Sequence, residues 1–160
     1  MIVKKVFIPC AGVGSRLGAI TQNINKALVP INHKPTISHI IENFSKNTIF
    51  VVALGYKGEV VRDYLKCAHP KSSFKFVNIS NYKGPKSSLG LTLKISEKFL
   101  KEPFIFCSCD TFFKKKIKYL KNNWVGYSKK DDEQAMYRKL NFTKDELKIS
   151  EKKINSNYCY

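Results

Sequence analysis

The stretch that decides the fold is residues 8–17, Ile-Pro-Cys-Ala-Gly-Val-Gly-Ser-Arg-Leu, which closes an apolar segment at residues 4–9. An apolar run that ends in glycines predicts a β-strand followed by a phosphate-binding loop. Glycine lets backbone N–H groups line a concavity and lets a phosphate approach without a Cβ in the way. Arg16 adds a planar guanidinium that suits phosphate oxygens. For this loop alone, an ordinary glycine turn with a solvated Arg16 stays open as the alternative.

Two better-known phosphate-binding loops do not fit these residues. A P-loop ends in Gly-Lys-Ser/Thr, whereas Gly18 is followed by Ala19 and Ile20. A dinucleotide-binding loop needs a third glycine where Leu17 stands and an acidic residue about 20 positions further on. The first carboxylate of the chain is Glu42, so that acidic partner is at best displaced.

Strand-like and helix-like segments alternate as far as residue 109. We predict strands at 4–9, 49–54, 74–79 and 103–109, and helices at 35–45, 59–67 and 87–100. Repeated β-α-β units imply a Rossmann-like three-layer α/β sandwich with a mostly parallel sheet. Ligands of such sheets bind beyond the carboxyl ends of the strands, where the glycine loop and Asp110 are both expected.

The remainder of the chain predicts a basic helix at 114–122 and a strand at 124–128. Residues 138–142 and 147–150 read as a hairpin around the turn at 143–146.

The composition is strongly basic, with 29 Lys and Arg against 12 Asp and Glu and a formal net charge of +17. The lysines are spread through every segment, so charge alone does not favour nucleic acid as the main partner, and anionic substrates explain the charge more simply. The apolar runs are too short to cross a bilayer or to form a secretion signal, which predicts a cytoplasmic protein without membrane contact. The five cysteines lack metal-ligand spacing and are interpreted as buried thiols.

Four further motifs extend the pattern beyond the loop. They read Asn-Lys-Ala-Leu-Val-Pro-Ile at 25–31, Lys-Pro at 34–35, Leu-Gly-Tyr-Lys-Gly-Glu at 54–59 and Cys-Asp-Thr at 109–111. Together with the loop they resemble the sugar-phosphate nucleotidyltransferase family, whose signature is Gly-x-Gly-Ser/Thr-Arg-Leu followed by Lys, Leu and Pro. The resemblance implies the nucleotide-diphospho-sugar transferase type of fold, in a single domain over residues 1–160 with its core at 3–111.

The activity that the resemblance implies is Mg²⁺-dependent transfer of a nucleoside monophosphate from a nucleoside triphosphate (NTP) to a sugar-1-phosphate or a phosphocholine-like acceptor. Pyrophosphate is released, and the product would serve polysaccharide biosynthesis. The implied roles are nucleotide binding by Ala11, Gly12, Gly14 and Ser15, contact with the leaving pyrophosphate by Arg16, contact with the α-phosphate by Lys26, and Mg²⁺ binding by Asp110. Taken singly, a solvated lysine and an aspartate that caps a turn are the alternatives.

Two more segments are assigned by the resemblance. Gly84, Pro85 and Ser88 would close over the nucleotide base, and Ser87 or Ser88 could equally be the N-cap of the next helix. Lys152 would contact the phosphate of the acceptor, although Lys153 stands where the family has proline and a solvated charge run is the alternative.

The resemblance also predicts that the domain is short at its C-terminal end. Asp131, Asp132 and Asp145 do not match the second metal-binding aspartate that the family commonly has. We therefore expect weakened Mg²⁺ binding and an unpaired sheet edge that permits association with another copy of the chain. A catalytically weak nucleotide-binding remnant or subunit is the second hypothesis, and a basic nucleic-acid-binding protein is the third.

Overall fold

The computed structural model describes residues 4–111 in full, and it also describes the backbone of two strands at 138–142 and 147–151. The predicted helix at 114–122 and the predicted strand at 124–128 lie outside the described residues, as does Lys152.

The elements of the chain follow the predicted alternation. The strands are β1 (Lys5–Cys10), β2 (Pro30–Ile31), β3 (Lys34–Pro35), β4 (Ile49–Leu54), β5 (Ser73–Asn78), β6 (Ile105–Phe106), β7 (Arg138–Phe142) and β8 (Leu147–Glu151). The α-helices are α1 (Thr36–Glu42), α2 (Gly58–Ala68) and α3 (Leu89–Ser96), and short 3₁₀ helices occupy Ser15–Thr21, Lys26–Leu28 and Glu97–Phe99.

Four of the strands form one parallel sheet in the order β5-β4-β1-β6. The chain first adds β4 and β5 on one side of β1 and then returns to add β6 on the other side. The direction of strand addition therefore reverses between β1 and β6, and a crevice opens there at the carboxyl ends of the strands. The glycine loop leaves β1 at this point, and residues 107–111 leave β6.

The central strands β1 and β4 are buried on both faces, as their continuous apolar residues predicted. Val6 and Ile8 of β1 pack on one side with apolar residues of α1 and α2, including Ile37, Ile40, Val61 and Leu65. Phe7 points to the other side, where it packs in a cluster with Leu93, Phe99 and Leu100. Successive residues of a strand alternate between faces, so β1 contributes to both cores of the three-layer sandwich.

The structure corrects several boundaries. β6 is only two residues long rather than 103–109, because the chain turns soon afterwards with a hydrogen bond from the Thr111 N–H to the Ser108 carbonyl (3.0 Å). The helix predicted at 87–100 divides into α3 and the 3₁₀ helix at Glu97–Phe99. The hairpin at the end of the chain is confirmed as β7 paired antiparallel with β8.

Two local features went unpredicted, the 3₁₀ helices around the glycine loop and the β2–β3 hairpin. Asn32 and His33 at the tip of this hairpin both have positive φ, as a two-residue hairpin turn requires.

The cysteine prediction holds for Cys10, Cys107 and Cys109, which are buried, and it is wrong for Cys67, which is exposed on α2. Cys159 lies outside the described residues. The helices in the described part of the chain are all too short or too polar to span a membrane.

Candidate functional site

A crevice of about 350 Å³ lies at the carboxyl ends of β1 and β6. Its walls bring together residues from four separate parts of the chain. They are Pro9, Ala11, Gly12 and Arg16 from the glycine loop, Lys26, the segment of Asn81, Tyr82, Ser87, Ser88, Leu89 and Thr92, and Phe106 and Ser108 from the end of β6. The predicted positions Ala11, Gly12, Arg16, Lys26 and Ser88 thus line one cavity.

The glycine loop turns sharply and rests against Lys26. Gly14 has φ +73°, and a Cβ at this position would lie 3.2 Å from the Cβ of Lys26 and 3.2 Å from Cγ2 of Thr21. The Thr21 hydroxyl donates a hydrogen bond to the Gly14 carbonyl (3.0 Å), which closes the turn. A Cβ on Gly12 would meet nothing within 4 Å, so the backbone there is open to the crevice. Gly14 and Ser15, which were also predicted to bind the nucleotide, are not among the residues that line the cavity.

Lys26 and Asp110 form an ion pair at the rim of the crevice. Lys26 Nζ lies 3.2 Å from Asp110 Oδ2, and the Ser108 hydroxyl donates a hydrogen bond to Asp110 Oδ1. The side chains are 19% and 47% exposed, respectively. These residues are 84 positions apart in the sequence, and the parallel pairing of β1 with β6 brings them together.

Both members of the pair are charged at neutral pH. Burial opposes the charge of Lys26, but its electrostatic interactions with Cys109 and Asp110 outweigh burial and raise the pKa of the lysine. Burial likewise opposes ionisation of Asp110, yet the hydrogen bond from Ser108 and the charge of Lys26 lower the pKa of the carboxyl group. The rim therefore presents a cation that can meet a phosphate and a carboxylate that can meet a metal ion.

Asp110 suits a hard cation such as Mg²⁺, which prefers carboxylate oxygens together with phosphate oxygens and water. Residues 4–111 contain no cluster of three or more His, Cys, Asp or Glu side chains that could enclose a metal by themselves.

The second wall of the crevice begins at the N-terminus of α3. The Ser88 hydroxyl accepts a hydrogen bond from the Leu91 N–H (3.0 Å), which confirms the N-cap interpretation of this serine, and the residue also faces the cavity. Gly84 has φ +88° and forms a turn with Ser87, whose N–H lies 3.0 Å from the Gly84 carbonyl. Gly84 and Pro85 are exposed and lie outside the cavity wall.

Two residues that organise the site were not singled out from the sequence. Asn25 is fully buried, and its side chain hydrogen-bonds to three backbone groups. The Tyr56 hydroxyl donates to the carbonyls of Thr21 (3.0 Å) and Gln22 (2.6 Å), which fixes the far end of the glycine loop. The one signal in the sequence was an asparagine, a common N-cap residue, directly before the lysine.

Gly55 allows the loop after β4 to approach the glycine loop. A Cβ at this position would lie 2.6 Å from the Ala11 carbonyl oxygen and 2.8 Å from the Tyr82 Cβ. Only glycine fits such a contact without displacing backbone. The motif at 54–59 therefore has a steric role in assembling the site.

Comparison with known proteins identifies relatives over most of the chain. The profile of the MobA-like NTP transferase domain matches residues 6–141. D-glycero-alpha-D-manno-heptose 1-phosphate guanylyltransferase of Campylobacter jejuni is 35% identical over 123 residues, which are 74% of this chain and 53% of that protein. Bifunctional protein GlmU of Methanococcus vannielii is 31% identical over 152 residues, which are 92% of this chain and 33% of that protein. The chain thus spans about half or less of these relatives.

Solved structures agree with this relationship. A UDP-glucose pyrophosphorylase complexed with UDP-glucose superposes with a TM-score of 0.56 at 25% identity, covering 68% of this chain and 46% of that one. CTP:phosphocholine cytidylyltransferase of Streptococcus pneumoniae superposes with a TM-score of 0.63 at 23% identity, covering 95% and 66%. The fold is therefore the Rossmann-like nucleotide-diphospho-sugar transferase fold, and the chain belongs to the MobA-like NTP transferase domain family.

Proposed function

We propose that this chain binds an NTP in the crevice and transfers its nucleoside monophosphate to a sugar-1-phosphate or a phosphocholine-like acceptor. A phosphate oxygen of the acceptor would attack the α-phosphorus, the bond from that phosphorus to the bridging oxygen would break, and pyrophosphate would leave. Such a transfer needs two anions held in line and charge neutralised around them, and no covalent intermediate with the protein.

The observation that carries the proposal is the Lys26–Asp110 pair beside the glycine loop. It places a cation and a carboxylate at the carboxyl edge of the sheet, where ligands of this fold class bind. On nucleotide binding, the Lys26 ammonium would exchange Asp110 for oxygens of the α-phosphate, where negative charge builds up in the transition state. Arg16 is exposed on the same wall and would meet the departing pyrophosphate.

The remaining assignments follow the walls of the crevice. The backbone at Ala11 and Gly12 is open to the cavity and would contact the nucleotide, with Gly14 and Ser15 shaping the loop. Ser88 faces the same cavity from α3 and would lie near the base, with Gly84 and Pro85 forming the turn before it. Lys152 is proposed for the acceptor phosphate on the family resemblance alone.

Asp110 would hold Mg²⁺, which supplies positive charge to the phosphate oxygens when it is bound. Its carboxylate fits this role, since it is ionised, half-exposed and held in place by Ser108.

A nucleotide-binding subunit with weak turnover is the second candidate. The observation that favours it is that residues 4–111 supply one carboxylate at the rim, from Asp110, and no metal-binding cluster. A cytoplasmic location, a role in polysaccharide biosynthesis and association between copies of the chain belong to the same proposal.

Two measurements test the proposal. Thermal unfolding with each of ATP, CTP, GTP and UTP, with and without Mg²⁺, should show a rise in Tm for at least one nucleotide. Pyrophosphate release should then be measured with that nucleotide and a panel of sugar-1-phosphates and phosphocholine. A rise in Tm without pyrophosphate release would establish the nucleotide-binding subunit, and the absence of any rise would refute both candidates.

A further inference from the structure

We infer that Asn25 is a positioning residue, whose buried side-chain amide holds the Lys26 ammonium in place relative to the glycine loop. This inference rests on the proposed function for its consequence in binding, and its geometric part can be tested independently.

The amide of Asn25 connects three segments that meet beneath the crevice. Its Nδ2 donates to the Cys10 carbonyl at the end of β1 (2.9 Å) and to the Tyr56 carbonyl in the loop after β4 (2.6 Å). Its Oδ1 accepts from the Ala27 N–H (2.9 Å), which caps the 3₁₀ turn at Lys26–Leu28. The side chain therefore links two adjacent strand ends to the turn that carries the lysine.

The chemistry of this position is specific to an amide. A primary amide offers two N–H donors and a carbonyl acceptor, and here both donors and the acceptor are used. The carbonyls of Cys10 and Tyr56 can only accept, and the Ala27 N–H can only donate. These partners therefore decide which end of the Asn25 amide is the nitrogen and which is the oxygen. Aspartate would keep the size and the cap but turn a negative oxygen towards two carbonyl oxygens. Serine would keep only the cap.

The constraint on Asn25 passes directly to the next residue. The Leu28 N–H bonds to the Asn25 carbonyl (2.9 Å) and the Val29 N–H to the Lys26 carbonyl (3.3 Å), so the backbone on both sides of the lysine is tied. The lysine Cβ is also packed against Gly14. These contacts limit the conformations of the long Lys26 side chain, whose Nζ reaches Asp110 across the rim.

Chemical labelling tests the geometric part. The rate at which an amine-acylating reagent modifies Lys26 is measured by mass spectrometry in the wild type, Asn25→Asp and Asn25→Ser, with exposed Lys46 as the internal reference. We expect several-fold faster labelling of Lys26 in both variants and no change at Lys46. The matched control is Asn23→Asp, the same substitution at an exposed position two residues earlier. Labelling of Lys26 that is equal in all four proteins would overturn the inference, whatever the function.

A double-mutant cycle tests whether Asn25 acts through Lys26. Nucleotide affinity is measured by calorimetry for the wild type, Asn25→Ser, Lys26→Ala and the combined variant. We expect Asn25→Ser to weaken binding about 10-fold in the wild-type background and less than about 2-fold when Lys26 is absent, because residues that act as a unit are not additive. Equal effects in both backgrounds would show that Asn25 supports the fold alone.

The outcomes remain distinguishable from failure of the proposed function. A wild-type chain that binds no NTP refutes that function, and the labelling experiment still decides the placement of Lys26. If Asn25→Asp does not fold, as judged by circular dichroism, Asn25→Ser carries both measurements, since it keeps the cap and introduces no charge.

Discussion

Replacing Asp110 with asparagine should abolish the Mg²⁺-dependent part of nucleotide binding while leaving the fold intact. Asparagine keeps the size of the side chain and one oxygen that can accept a hydrogen bond from either Ser108 or Lys26, and it removes the negative charge and the second acceptor oxygen. Opposite charges about 4 Å apart attract by about 1 kcal/mol in water and about 4 kcal/mol near a protein surface. Because the Asp110 side chain is 47% exposed, solvent screening places the net loss near the lower figure, about 1 kcal/mol.

The expected effect on the ligand-free protein is therefore a fall in Tm of about 2–4 °C. The effect on the nucleotide complex should be larger. A ligand present at 100 times its Kd stabilises a protein by about 2.7 kcal/mol, and the share of that stabilisation that requires Mg²⁺ should disappear in Asp110→Asn.

The assay is thermal unfolding with the nucleotide that gives the largest shift, in Mg²⁺ and in EDTA. Asp63→Asn is the matched control, because Asp63 is exposed on α2 and the substitution changes the net charge equally. An Asp110→Asn chain whose Tm rises with Mg²⁺ as much as that of Asp63→Asn would remove Asp110 from the metal site.

Four further predictions concern single substitutions. Lys26→Ala should lower the rate of pyrophosphate release by about 10²–10³-fold. Lys46→Ala, which changes an exposed lysine in the segment before β4, should leave the rate unchanged. Gly55→Ala should lower the free energy of unfolding in urea by about 1–3 kcal/mol, since its Cβ would lie 2.6 Å from a backbone oxygen. Gly12→Ala, whose Cβ meets nothing within 4 Å, should preserve the free energy of unfolding and weaken nucleotide affinity in calorimetry. A destabilised Gly12→Ala chain and a fully stable Gly55→Ala chain would contradict the roles assigned to these glycines. Burial lowers the pKa of His69 below 6.5, so at mildly acidic pH the imidazole is protonated more readily in the unfolded chain than in the folded one. The free energy of unfolding in urea should therefore decline as the pH falls below about 6.5, and His69→Gln should reduce that decline.

Much of the fold could be predicted from local patterns because its central strands are buried on both faces. The apolar run Ile49–Leu54 was predicted with the boundaries that the structure shows. The glycine loop could also be predicted, since Gly14 and Gly18 have positive φ, a backbone conformation that favours glycine. Boundaries were less predictable where an element ends through a distant contact, as β6 does.

The sequence by itself determined the alternation of strands and helices, the glycine loop and the charged residues available for chemistry. The tertiary structure decided which of these residues meet. Lys26 and Asp110 are brought together by the pairing of β1 with β6, and α3 buries Thr92 and Ser96 while Leu89 stays 43% exposed. The role of Asn25 was hidden for the same reason, since two of its three hydrogen-bond partners lie 15 and 31 residues away. Local propensity depends on neighbours in the chain, whereas these contacts depend on the order of strands in the sheet and on which groups that order leaves buried.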